Sequence, residues 1–299
     1  MMAKKMLKRL TLCLLSMAMT GMSQGVWAES TSAVLPIFKL NDSAEWCDAN
    51  LHKLQQRISQ LEQQSIQPQS TAAPVLAEWD QLMASFEDFS GPISLYSNVH
   101  PDAKFRKAAD DCEVKINQLQ TEIYQNPKLY QRIKNTKTTD PIDRKYRQDI
   151  LDQFEDTGVQ LAPEKRARLK HILDELTKLS QEFSRNVRDN PEKLEFTPAE
   201  LKGLPESYIS GLKKNDKGNY LLGFEYPEYQ PFMELSDSDD ARKRYQTAFT
   251  RRGTEKNLVL LKQIVDLRYE LAQLFGQPSY ADWALKKRMA KTPKTVNNF

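Results

Sequence analysis

Along most of the chain, apolar side chains recur at alternating steps of three and four, the period of a helix with one buried face. Cys47, Leu51, Leu54, Ile58 and Leu61 form the first such stripe, with Asp42 or Ser43 placed to cap it. Gln64 to Thr71 is polar, contains proline and reads as a connector. Leu76, Trp79, Leu82, Met83 and Phe86 mark a second helix, predicted to end before Gly91-Pro92 because an interior proline breaks the hydrogen-bond ladder. A third runs from about Pro101 to Tyr124, with Phe105, Ala109, Cys112, Ile116, Leu119 and Ile123 on one face. Asp140-Pro141 starts a fourth, carrying Tyr146, Ile150 and Phe154 before Gly158. Pro163 opens the longest predicted run, with Leu169, Ile172, Leu176, Leu179, Phe183 and Val187 on one side, and Asn190-Pro191 closes it. All these stripes read as seams that face a core.

One stretch departs from the helical period. Asn215-Asp216-Lys217-Gly218 is a turn signal, and Tyr220 to Tyr226 reads as a strand in a small β ribbon near 219–226. Helices then resume over about Asp239–Arg252, Glu255–Phe275 and Tyr280–Lys287. Thr292-Pro293 opens one more, with Val296 and Phe299 three residues apart as the start of an apolar face. The fold class predicted from the pattern is predominantly α, and no internal repeat stands out.

Residues 1–28 are expected to lie outside the fold as a signal peptide. Lys4, Lys5, Lys8 and Arg9 form a positive start, Leu10 to Met19 an apolar run, and Val26-Trp27-Ala28 a cleavage site. The run is too short for a spanning helix, which needs about 20 residues. The expected mature chain, 29–299, is exported to the periplasm or secreted. Its removal of four basic residues changes the charge from 43 − 40 = +3 to 39 − 40 = −1. The basicity thus belongs to the targeting segment, and no basic face remains to suggest nucleic acid. Two cysteines persist, Cys47 and Cys112. In an oxidising compartment they pair as a disulfide, or else they are two separate buried thiols; the spacing leaves both open.

Candidate chemistry is sparse. The three histidines are His52, His100 and His171, and none sits in an HExxH zinc motif. His171 and Glu175 lie one turn apart in "HILDE", half of a metal site at most, and read as a surface pair among charged neighbours. His100, before Pro101, reads as serving a turn. Neither a CxxC pair nor a GxSxG elbow nor a glycine-rich phosphate loop is present. Asp110-Asp111 and Asp239-Asp240 read as solvated or capping carboxylates near helix starts. No catalytic and no metal-ligating residue is assigned.

Four stretches carry a resemblance: "NVHPDAKFRKAADDCEVK" at 98–115, "FTPAELKGLPESYISGL" at 196–212, "YPEYQPFMELSDSDDARKRYQTAFTRRG" at 226–253 and "LLKQIVDLRYELAQLFGQPSYADWALKKRMAKTP" at 260–293. In this order they resemble the thimet oligopeptidase and oligopeptidase A family of zinc metallopeptidases, from roughly residue 40 onward. The resemblance implies a multi-helix N-terminal lobe flanking a deep channel that admits short peptides and excludes folded proteins. It implies zinc in the complete family member, held by an HExxH helix and a later glutamate. None of those positions occurs here, so this chain is expected to bind no zinc alone.

Two readings follow. In the first, the chain is the N-terminal portion of an exported zinc oligopeptidase, truncated at its C-terminus and supplying scaffold and channel wall. The helix opened at Thr292 would then bury Val296 and Phe299 against further sequence. In the second, it is a non-enzymatic helical peptide- or partner-binding protein derived from that family. The implied partners are short peptides, with no nucleic acid and, after signal cleavage, no membrane. A monomer is favoured over coiled-coil pairing, because the Leu51–Leu61 and Leu169–Val187 stripes are short.

Overall fold

A computed structural model describes residues 39–63 and 72–299. The predicted signal segment and the connector Gln64–Thr71 lie outside the described residues. The chain enters through a 3₁₀ turn at Leu40–Asp42 that runs into helix α1, Ser43–Gln63. Next come α2 (Ala72–Val99), α3 (Ala103–Tyr124), α4 (Pro127–Lys134) and α5 (Pro141–Asp156). Together α1–α5 enclose one apolar core, in which Leu82, Ile93, Ile123, Leu129, Ile133 and Phe154 are almost wholly buried. Trp79 and Tyr124 meet Phe154 with ring centroids 5.3 and 5.2 Å apart, so three helices share one aromatic contact.

Caps fix where these helices start. The Asp102, Asn126 and Asp140 side chains each accept backbone N–H groups from the first turn of α3, α4 and α5. Each such cap satisfies donors that would otherwise be orphaned, worth about 1 kcal/mol. Across this bundle, Cys47 of α1 and Cys112 of α3 are joined as a disulfide, with Cα atoms 6.0 Å apart.

Helix α2 continues through Gly91 and Pro92, where the spacing predicts a stop. An interior proline costs about 3 kcal/mol. Beyond it, Ile93 and Ser97 prolong the buried face of Phe89 at helical spacing, and α2 has its most extensive packing with α3. Tertiary burial therefore overrides the local breaker. At 28 residues, α2 is also longer than α6 (Pro163–Arg188, 26 residues), which the pattern made the longest.

After α6 the chain builds a second core. Strand β1 (Leu194–Phe196), a 3₁₀ turn at Pro198–Leu201, a short helix α7 (Glu206–Ile209), β2 (Lys213–Lys214) and β3 (Tyr220–Leu222) precede α8 (Tyr226–Leu235) and α9 (Asp239–Thr250). The three strands form an antiparallel sheet in the order β1-β3-β2, with Leu194 opposite Leu222 and Lys213 opposite Leu221. The strand predicted to reach Tyr226 ends at Leu222. Pro227 has no N–H to give a strand partner and suits a helix's first turn, so α8 begins at Tyr226. Phe196, Phe232 and Tyr245 pack at the centre of this core, and the Tyr245 hydroxyl donates to the Gly223 carbonyl.

Helix α10 (Thr254–Leu274) returns along α6. Gly253 makes the entry with φ +66, and a Cβ there would lie 2.9 Å from the Asn186 carbonyl oxygen of α6. Only glycine combines that backbone conformation with that approach. Leu169, Ile172 and Leu271 form the small core between α6 and α10, covered by α11 (Tyr280–Leu285). Finally α12 (Pro293–Asn298) starts at Thr292, whose side chain accepts the Thr295 N–H; Val296 and Phe299 are exposed. No helix among the described residues is long and apolar enough to cross a membrane.

The disulfide closes a separation of 65 residues across the first core. Oxidised chain should unfold in urea with about 2–4 kcal/mol more stability than the C47A/C112A variant. Coincident unfolding curves would contradict a bridge that constrains the bundle.

Candidate functional site

Helix α6 combines apolar packing near its start with polar contacts near its end. Only Leu169 and Ile172 of its stripe are fully buried, while Leu176, Leu179, Phe183 and Val187 are partly buried. Its second half is also held by polar contacts. Asp110, in the middle of α3, has a side chain only 4% exposed. Its carboxylate accepts from Ser97 Oγ of α2 (2.7 Å), Arg185 Nε (3.1 Å) and Arg188 Nη2 (3.5 Å) of α6. Arg188 Nη1 also donates to the Ser97 carbonyl at 2.7 Å. A buried carboxylate is tolerated only when paired and fully hydrogen-bonded, which three helices here achieve together.

The network extends outward. Asp189 accepts from Arg188 (3.2 Å) and from Arg106 (2.8 Å). Burial works to raise the Asp189 carboxyl, but the hydrogen bonds from Arg188 and Arg106 outweigh it and hold it below the usual carboxylate range. Its stabilising contribution is therefore present above the unfolded-state pKa and lost as pH falls through the folded one. On the α10 side, Asn186 Nδ2 donates to Asn257 Oδ1 (2.9 Å) and Asn257 Nδ2 donates to the Phe183 carbonyl (3.0 Å).

Two open clefts flank the ridge that this network holds. Glu113, Asn117 and Gln120 stand at helical spacing on α3 and belong to both. One cleft, about 680 Å³, lies between α3, α5 and α6, with Arg268 of α10 and Tyr280 of α11 at its end. The other, about 660 Å³, lies between α2 and α3. Their walls carry amides and hydroxyls: Thr121, Gln153, Thr157, Thr177, Ser180, Gln181, Ser90, Ser94 and Asn98. Gln181 Nε2 already donates to Glu113 Oε2 (3.2 Å) and to the Asp110 carbonyl (3.1 Å). Burial first, then Tyr146 and Glu87, push the Tyr124 hydroxyl up to about 12, so it is a donor and not a base at neutral pH. Such a lining can hydrogen-bond an extended backbone. It holds no nucleophile paired with a base.

The histidines are dispersed. His52 lies on α1 beside Gln56 (2.9 Å). His100 stacks on Phe105 (centroids 4.0 Å) and accepts the Asp102 N–H at 3.1 Å, so it serves the α2–α3 turn as expected. On α6, the Glu175 of "HILDE" is paired with Lys178 (2.8 Å), whose hydrogen bond lowers its carboxyl pKa. No group of His, Cys, Asp and Glu among the described residues has the arrangement to hold a metal ion, so the residues present do not fit a zinc site. Asp111 is exposed and paired with Lys107; Asp239 lies in the first turn of α9, paired with Arg242, with Asp240 beside it. Asp110 corrects the sequence reading, being buried in mid-helix and not solvated. Its position on the edge of the Ala109–Cys112–Ile116 stripe was the available signal.

Residues 232–299 match the family described as Peptidase family M3. The chain is similar to the thimet-like oligopeptidase of Dictyostelium discoideum, 27% identical over 240 residues that cover 77% of this chain and 36% of that protein. It is 28% identical to oligopeptidase A of Escherichia coli over 249 residues, 74% of this chain and 37% of that one. Saccharolysin of Saccharomyces cerevisiae is 27% identical over 247 residues, 76% and 34% respectively. The chain thus spans about a third of the length of these relatives.

The Asp110 network gives a direct test. Breaking a buried ion pair from one side costs about 3–5 kcal/mol, and the low end applies because Arg185 and Arg188 are partly exposed. D110A should lose about 3 kcal/mol in urea unfolding, whereas D111A at the neighbouring exposed pair should stay within about 0.5 kcal/mol. Equal effects would remove the distinction between them. In sequence the chain is similar to thimet oligopeptidase and oligopeptidase A over about three quarters of its length, with the match to peptidase family M3 lying in residues 232–299.

Proposed function

We propose that this chain is the helical, N-terminal portion of an exported zinc oligopeptidase. It supplies scaffold and one wall of a peptide-admitting channel, and the zinc and its activating glutamate belong to sequence outside it. One observation carries the reading: similarity to oligopeptidases runs through about three quarters of this chain but covers only about a third of those proteins. M3 peptidases are zinc metallopeptidases, and no residue set fit for zinc lies among those described here. The polar clefts on either side of Glu113, Asn117 and Gln120 are the surfaces that suit a short peptide backbone.

Two features support export. The first 28 residues have the pattern of a cleaved signal, and Cys47–Cys112 is a disulfide of the kind that persists in oxidising compartments. A second reading, a peptide-binding protein without catalysis, draws on the amides and hydroxyls that line both clefts and suit a peptide backbone.

Two measurements test the proposal. Purified chain with added zinc should show no metal-dependent hydrolysis of a quenched fluorescent peptide. Robust turnover that chelator abolishes would overturn the assignment of catalysis to other sequence. Sequencing the locus past the codon for Phe299 should reveal an in-frame HExxH; a stop codon with none downstream in any frame would favour the binding-protein reading.

A further inference from the structure

Helix α10 carries two apolar faces. One, with Leu260, Ile264 and Leu271, is buried. The second consists of Leu258, Leu261, Val265 and Tyr269, spaced i, i+3, i+7 and i+11 and therefore on one stripe. These four are 61%, 45%, 54% and 55% exposed. At 1.5 Å per residue the stripe is about 16 Å long, three turns of helix. Its N-terminal end opens into a cleft of about 370 Å³ that Leu258 and Leu261 line together with Phe183 and Val187 of α6 and Phe249 of α9. The partly buried end of the α6 stripe thus meets the N-terminal end of the α10 stripe in a groove whose apolar side chains are joined by Thr250, Arg252, Thr254 and Asn257. Single exposed apolar residues need no explanation, but a contiguous groove does.

We propose that this groove seats an apolar face of the remainder of the peptidase chain, the polypeptide that the relatives possess outside the matched region. The inference rests on the reading given under Proposed function and names the surface through which the two parts join. Two observations select this occupant. All of the α10 stripe lies within residues 232–299, the part that matches the M3 family, and roughly two thirds of each relative lies outside its match. Size argues against a second copy of this chain. A stripe about 16 Å long on a helix about 10–12 Å across presents on the order of 200 Å², well short of the roughly 800 Å² per partner that stable association of separate proteins buries. A covalently continuous segment needs less area, because docking is then intramolecular with an effective concentration in the mM range.

The test uses a fusion: this chain joined after Phe299, through a flexible linker, to the portion of Escherichia coli oligopeptidase A outside its match. Hydrogen exchange followed by mass spectrometry on residues 258–269 should slow at least tenfold in the fusion relative to the chain alone. The fusion should also hydrolyse peptide with added zinc, and L261E/V265E should abolish both effects while leaving the melting temperature of the unfused chain unchanged. An active fusion with unprotected 258–269 would overturn the docking surface and leave the functional reading standing. An inactive fusion with no protection would overturn both. Protection in the unfused chain that rises with concentration, alongside a dimer in light scattering, would make a second copy the occupant and overturn the proposal.

Discussion

The Asp110 carboxylate is the contact on which the arrangement of this chain depends. It is buried between α2, α3 and α6, and its hydrogen bonds come from Ser97, Arg185 and Arg188. Coulomb attraction in a partly dry site offsets the cost of burying the charge only while all of these partners are in place. The helix it secures, α6, packs on α3 of the first core along one side and on α10 along the other. Apolar burial is concentrated near Leu169 and Ile172. Without the polar contacts, the last three turns of α6 would have less to fix them.

Both of the surfaces proposed above involve that helix. On one side, α6 forms a wall of the polar cleft above Asn117 and Gln120. On the other, Phe183 and Val187 face the apolar groove with α10. A core-facing stripe would have consumed those side chains, whereas a helix held by arginine and asparagine contacts leaves them available. The polar surface suits a peptide backbone, and the apolar one suits further protein. Neither offers a set of metal ligands. The proposed role as a scaffold portion of a larger peptidase draws on this division of surfaces.

Much of the fold was legible because helical period and cap chemistry agreed. Asp140-Pro141, Pro163 and Thr292-Pro293 each start a helix where the residues predict one, and the Asn215–Gly218 turn leads into β3. Failures occurred where long-range packing outvoted local signals. Gly91-Pro92 is helical because Ile93 and Ser97 stay buried beyond it. Tyr226 reads as strand by residue type, yet Pro227 commits it to α8. Short α4 went unseen, its eight residues holding too little periodicity to register. The resemblance carried by four ordered stretches was legible, since it rests on whole segments and not on a pattern period. Asp110 was missed because a carboxylate's burial depends on partners 75 and 78 residues away.

Native-state hydrogen exchange of α6 tests the central constraint most directly. If the Asp110 network fixes this helix, the amides from about Leu179 to Arg188 exchange with the same opening free energy as those of α3 between Ala109 and Ile116, as one cooperative unit. Exchange of that α6 segment by local fraying, while α3 stays protected to the global limit, would contradict the account.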